Sequence, residues 1–111
     1  MSNYYLHSVI LKNCPYSNAA HELLNNSSEF TFVDHNNKDK YKNDNISTFP
    51  QIYLKRKDSN GSLLIGGYDN IKELHDLFHK KKYSETNINE FLKNNTNWTR
   101  KGLLRFIELI N

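Results

Sequence analysis

The chain contains one cysteine, Cys14, in the stretch Asn13-Cys14-Pro15-Tyr16-Ser17. A lone thiol does chemistry when its surroundings favour the thiolate, which is the nucleophilic form. The apolar run Ser8-Val9-Ile10-Leu11 precedes it, and Ala19, Ala20, Leu23 and Leu24 follow at helical spacing, so Cys14 falls where a strand hands over to a helix predicted over Ser17 to Asn26. Unpaired N–H groups and the helix dipole converge on a first turn and favour an anion. Such settings lower a cysteine pKa from about 8.5 toward roughly 3.5–7.5. Pro15 has a preset φ and no N–H, which suits the first helical position. The competing reading is an inert thiol, since free cysteine is among the most often buried residue types.

The elements that must position Cys14 can be read on either side of it. Tyr5 to Leu11 is apolar and β-branched toward its end, as a strand buried on both faces would be. Asn25-Asn26-Ser27-Ser28 breaks the helix, and Phe30-Thr31-Phe32-Val33-Asp34 reads as a second strand. Strand, helix and strand over this length imply a parallel pair with a right-handed crossover. His35 to Asn45 is polar and lysine-rich, with at most a short helix. Gln51-Ile52-Tyr53-Leu54-Lys55 alternates as a strand, with Pro50 at its entrance, where a missing N–H removes no interior ladder bond. Asn60-Gly61 before Ser62-Leu63-Leu64-Ile65 predicts a tight hairpin with two positive-φ positions, making the third and fourth strands antiparallel. Gly66-Gly67 ends that strand. Asp69 is the predicted cap of a helix whose Ile71, Leu74, Leu77 and Phe78 form one apolar stripe, with Lys80-Lys81-Lys82 complementing the dipole at its end. Further helices follow around Ile88, Phe91 and Leu92, and around Leu103, Leu104, Ile107 and Ile110. Thr99 is the N-cap of the last, with Trp98 and Leu103 at staple spacing.

At 111 residues, 37% hydrophobic and 24% charged, the chain is expected to form one domain over 1–111 with a single core. One cysteine excludes an internal disulfide and fits a reducing, cytoplasmic setting. No basic segment followed by an apolar one opens the chain, and no run approaches the roughly 18 apolar residues of a membrane helix. The net charge of +3 is carried by short clusters interleaved with Asp and Asn, which reads as a solvated surface and not as a nucleic-acid site. His75 and His79 are one turn apart, as a metal pair would be, but two ligands make no site, so a surface or half-buried placement is expected and no metal. Trp98 is most simply a packing anchor, with a partner surface as its alternative.

A βαβ unit followed by a ββα unit, with a cysteine after the first strand and a proline before the third, resembles the thioredoxin fold: a four-stranded mixed sheet flanked by helices. Three motifs are more narrowly similar to glutaredoxins. Cys14-Pro15-Tyr16-Ser17 resembles the CPYC tetrad with serine for the second cysteine, Thr48-Phe49-Pro50 resembles the TVP cis-proline motif, and Gly66-Gly67-Tyr68-Asp69 resembles GG-x-D. The resemblance covers Tyr4 to Tyr83 and leaves 84–111 as a C-terminal helical extension.

The resemblance implies a monothiol glutathione-dependent oxidoreductase acting as a monomer on glutathionylated proteins or small mixed disulfides. Cys14 would be the nucleophile, flanked by Pro15, Tyr16 and Ser17, and glutathione the reducing co-substrate. Thr48, Phe49 and cis Pro50 would pair with its cysteinyl unit, and Gly67, Tyr68, Asp69 and Asn70 would hold its γ-glutamyl end. Lys12 stands near the family's basic residue, one place later than usual. No match is found for the residue that binds the glycyl carboxylate, for which Lys38, Lys40 and Lys42 are candidates. Two other readings follow from the same residues. One is an iron–sulfur carrier using Cys14 and glutathione, against which Pro15 argues; the other is an interaction protein that docks partners through the tail.

Overall fold

The computed structural model describes residues 3–79 and 83–111. The Lys80-Lys81-Lys82 cluster lies outside the described residues. The order is β1 (Tyr4–Leu11), α1 (Pro15–Leu23), β2 (Ser28–Val33), a 3₁₀ turn (Lys38–Tyr41), β3 (Gln51–Arg56), β4 (Ser62–Gly66), α2 (Tyr68–Phe78), α3 (Glu85–Asn94) and α4 (Arg100–Ile110). The strands form one mixed sheet in the order β2-β1-β3-β4, with β1 parallel to β2 and the other two pairs antiparallel. No helix among the described residues is long and apolar enough to cross a membrane.

Because side chains alternate along a strand, β1 sends Leu6, Ser8 and Ile10 to one face and His7, Val9 and Leu11 to the other. The first face carries the main core. Leu6 and Ile10, joined by Ile52 and Leu54 of β3, pack with Ala20 of α1, with Ile71, Leu74 and Phe78 of α2, and with Leu103, Phe106, Ile107 and Ile110 of α4. The final helix therefore supplies four buried side chains to the core of the sheet it follows. The second face holds a smaller buried group, Val9, Leu11 and Val33, against which Cys14, Phe49 and Tyr53 pack. β1 is thus central and buried on both sides, which is why its sequence reads as a nearly continuous apolar run.

The helix ends follow their local chemistry. Thr99 caps α4 as expected, its Oγ1 accepting from the Gly102 N–H at 3.0 Å. Ser84 and Asn87 cap α3 reciprocally: the Asn87 N–H donates to Ser84 Oγ at 3.2 Å, and the Ser84 N–H donates to Asn87 Oδ1 at 2.9 Å. Arg100 also pairs with Glu85, tying the start of α4 to the start of α3. A chain of edge-on aromatic contacts runs from Phe78 through Phe91 and Trp98 to Phe106, each with centroids 5.5–5.8 Å apart. It fastens α2, α3 and α4 together.

Four expectations are corrected. The β3–β4 hairpin forms, but Asn60 and Gly61 do not adopt positive φ. The connection is a longer loop, closed by Arg56 N–H to the Gly61 carbonyl at 3.2 Å and by the Arg56–Asp58 ion pair, so register comes from the loop and not from a two-residue turn. Asp69 is not the cap of α2. Gly67 holds that position, and Asn70 one turn on accepts from the Gly67 N–H at 3.1 Å. The first helix opens at Pro15 and closes at Leu23. His75 is buried, at 8% exposure, its ring stacked on His79 with centroids 4.5 Å apart.

Candidate functional site

The turn after β1 is closed by backbone bonds on both sides of Asn13. The Lys12 N–H donates to the Val33 carbonyl at 2.9 Å and the Cys14 N–H to the Leu11 carbonyl at 3.3 Å. Between them Asn13 has φ 63°, the left-handed region that asparagine tolerates better than most residues. This reversal delivers Cys14 as the N-cap residue in extended conformation, with Pro15 opening the helix. Its carbonyl accepts the first helical bond, from the Asn18 N–H at 2.9 Å. The Tyr16 and Ser17 N–H groups lie in the turn where no intrahelical acceptor exists. Cys14 is half-buried, packed on the Val9, Leu11 and Val33 group.

Tyr16 and Ser17 diverge. Tyr16 is 62% exposed, while Ser17 is fully buried and its Oγ accepts from the Leu11 N–H at 3.1 Å. The Ser17 hydroxyl is therefore committed to the end of β1. It faces the interior and not the cavity.

That cavity, about 460 Å³, draws on all three sequence motifs. Tyr16 lines it from α1, Thr48 and Phe49 from the segment before β3, and Gly67, Tyr68, Asp69 and Asn70 from the start of α2. Phe49 belongs both to the cavity wall and to the small apolar group that holds Cys14, and so links thiol and cavity. The Phe49–Pro50 peptide bond is cis. Tyr16 faces Tyr68 across the lip at 6.3 Å between ring centroids. Gly66 is required twice over: its φ is +132°, and a Cβ there would sit 2.5 Å from Asn70 Oδ1, the atom that braces the entry to α2. At Gly67, by contrast, a Cβ would make only an ordinary contact, 3.6 Å from the Pro50 carbonyl oxygen. Asp69 is exposed in the first turn of α2. It has no ion-pair partner among the described residues.

Some expected residues lie elsewhere. Lys12 does not line the cavity; its ammonium pairs with Asp34 at 3.1 Å across the ends of β1 and β2. Lys38, Lys40 and Lys42 do not line it either, and Lys42 pairs with Asp39 at 3.0 Å. In their place the wall includes Asn45, Ile46 and Leu64. Leu64 was accessible to sequence reasoning, because it stands opposite Tyr53 and so faces away from the main core. Gln51 was missed as well. It is buried, donates from Nε2 to the Tyr41 carbonyl at 2.8 Å and accepts from the Tyr53 hydroxyl at 3.2 Å, and thereby anchors the polar segment before Pro50 to the second face of the sheet.

A search of solved structures finds a glutaredoxin 1 from Francisella tularensis, crystallised in complex with cacodylate. It matches with a TM-score of 0.51 and 24% identity, over 66% of this chain and 93% of the other. The fold is thioredoxin-like. No protein-family model matches the chain, and no curated protein matches it in sequence. The share of the chain left unmatched leaves room for the α3–α4 tail, which in this protein contributes to the main core.

Proposed function

We propose that this chain is a glutathione-dependent thiol–disulfide oxidoreductase of glutaredoxin type, working by a monothiol route through Cys14. The observation that carries this reading is the convergence of three separate segments, around Tyr16, Phe49 and Asp69, on one cavity beside the single cysteine. In the first step the Cys14 thiolate attacks the glutathione sulfur of a mixed disulfide. The S–S bond breaks, a Cys14–glutathione disulfide forms, and the substrate sulfur leaves as a thiolate that is protonated by solvent. In the second step the thiolate of another glutathione attacks the glutathione sulfur on Cys14. Oxidised glutathione departs with the two electrons balanced, and the Cys14 thiolate returns.

The α1 N-terminus supplies N–H groups that favour the thiolate as leaving group. Bound glutathione would lie along the Phe49 backbone as an added strand, with its γ-glutamyl carboxylate at the start of α2 and its ammonium at Asp69. Ser17 holds the end of β1 and takes no part in the exchange. The domain spans 1–111, with 84–111 an extension that completes its core.

Cys14→Ser is expected to reduce glutathione-dependent cleavage of a small glutathione mixed disulfide to background, since the chain has one cysteine. Turnover above background in a folded Cys14→Ser protein overturns the proposal.

A further inference from the structure

A second cavity, about 470 Å³, lies between α2 and α3. Glu73, Leu74 and Leu77 line it from α2, Glu90 and Phe91 from α3, and Trp98 from the turn before α4. On α2 Glu73 and Leu77 are four apart and share a helix face, and on α3 Glu90 and the adjacent Phe91 both line the cavity, so each helix presents a carboxylate and an apolar side chain to it. The floor is held in place by the aromatic contacts that join Phe91 to Phe78 and to Trp98. Leu77 is 41% exposed, one of few large apolar side chains left open to solvent.

The charged side chains that line this groove among the described residues have one sign. No lysine or arginine lines it among the described residues, and neither Glu73 nor Glu90 belongs to an ion pair there. Some other surface acids do, Asp76 with Lys72, Glu85 with Arg100 and Glu108 with Arg105. Two carboxylates with no lysine or arginine in the same lining give the groove a preference for a positive group. The apolar floor adds a preference for a hydrocarbon stem or an adjacent apolar side chain.

We propose that the α2–α3 groove docks a basic polypeptide segment, an arginine or lysine next to an apolar residue, with Glu73 and Glu90 holding the cation and Leu77, Phe91 and Trp98 receiving the apolar part. A small cation would use the carboxylates but leave the floor uncovered. Phosphate-bearing partners are repelled by the same carboxylates. The groove shares the wall residue Asn70 with the cavity beside Cys14, so a segment docked there lies next to the thiol site. The proposal does not depend on what that site does.

Trp98 is the only tryptophan, and it reports the groove directly. The full chain is titrated with a blocked pentapeptide alternating leucine and arginine, followed by Trp98 fluorescence and by calorimetry. The same peptide with citrulline for arginine serves as the neutral isostere. The expected result is a saturable signal with the arginine peptide that weakens as salt rises, at least tenfold weaker binding of the citrulline peptide, and a threefold or greater loss in a Glu73→Gln, Glu90→Gln double variant. Both glutamates are exposed, and the isostere comparison needs no variant at all. The proposal is overturned by no saturable binding at millimolar peptide, by binding of the citrulline peptide within tenfold of the arginine peptide, by a double variant that retains affinity within threefold, or by spermidine binding as tightly as the peptide.

Discussion

Two cavities of nearly equal size, about 460 and 470 Å³, meet at Asn70, and they are built in opposite ways. The one beside Cys14 is assembled from turns and helix starts: the Asn13 reversal, the cis Phe49–Pro50 segment and the Gly66-Gly67 entry to α2. Its framework is backbone geometry, which holds the Cys14 thiol and the Asp69 carboxylate, and each contributing segment carries a local sequence signature. The α2–α3 groove is assembled from the sides of two helices, where the useful groups are side chains and the shape depends on how Phe78, Phe91, Trp98 and Phe106 pack. A site framed by turns and helix starts keeps its shape as long as the turns persist, whatever happens to most of its side chains. A site made of helix flanks changes with any one of them.

The sharpest separation of the two comes from Cys14→Ser, which is expected to remove all glutathione-dependent turnover while leaving peptide affinity at the groove within twofold. A parallel loss of both would mean that the two cavities act as one site. Next in size is Phe106→Ala. Phe106 is fully buried and touches Trp98, so the truncation is expected to cost about 3–5 kcal/mol in urea unfolding and to loosen the groove. A cost below about 1 kcal/mol would show that α4 is an appendage and not part of the core.

Asp69→Ala tests the first cavity alone. Losing one charge-assisted contact to an ammonium is worth roughly tenfold or more in affinity, so the glutathione concentration for half-maximal turnover should rise by about that factor. Alkylation of Cys14 by a small uncharged reagent should change little. Because Gly67 and Asn70 secure the helix entry, the fold should survive. Unchanged glutathione dependence would remove Asp69 from the ligand site.

The smallest effect expected is on pH. Burial, and then the neighbouring His79, lower the His75 pKa from its ordinary 6.5, and burial followed by Lys55 lowers that of His7 in the same direction. Both groups bind protons more readily when unfolded, so unfolding takes up protons and stability rises with pH. The contribution is fully present above the unfolded value near 6.5 and is lost as pH falls through the lower folded values. The urea midpoint should therefore decline from neutral pH into mild acid, with a shallower slope in His75→Gln. An identical slope in that variant would assign the decline to other groups.

What the sequence by itself determined is local. The strand-to-helix position of Cys14, Pro15 at the first helical position, the β3–β4 pairing, the Thr99 cap and the apolar stripe of α2 follow from spacing and from the conformational limits of Pro, Gly and Thr, which act within a few residues. The same locality explains the errors. Asn60-Gly61 permits a two-residue turn, yet the Arg56–Asp58 pair and the strand ends set a longer loop. Asp69 suits a cap by residue type, yet β4 ends at Gly66 and Gly67 already holds the cap position. Tertiary structure alone decided the rest. It paired Lys12 with Asp34 and turned the Ser17 hydroxyl toward Leu11. It fixed the polar segment to the sheet through Gln51 and placed α4 over Leu6 and Leu54. Each of these depends on which groups meet across many residues of chain, and burial and hydrogen bonding between distant groups leave no periodic trace in the sequence of either partner.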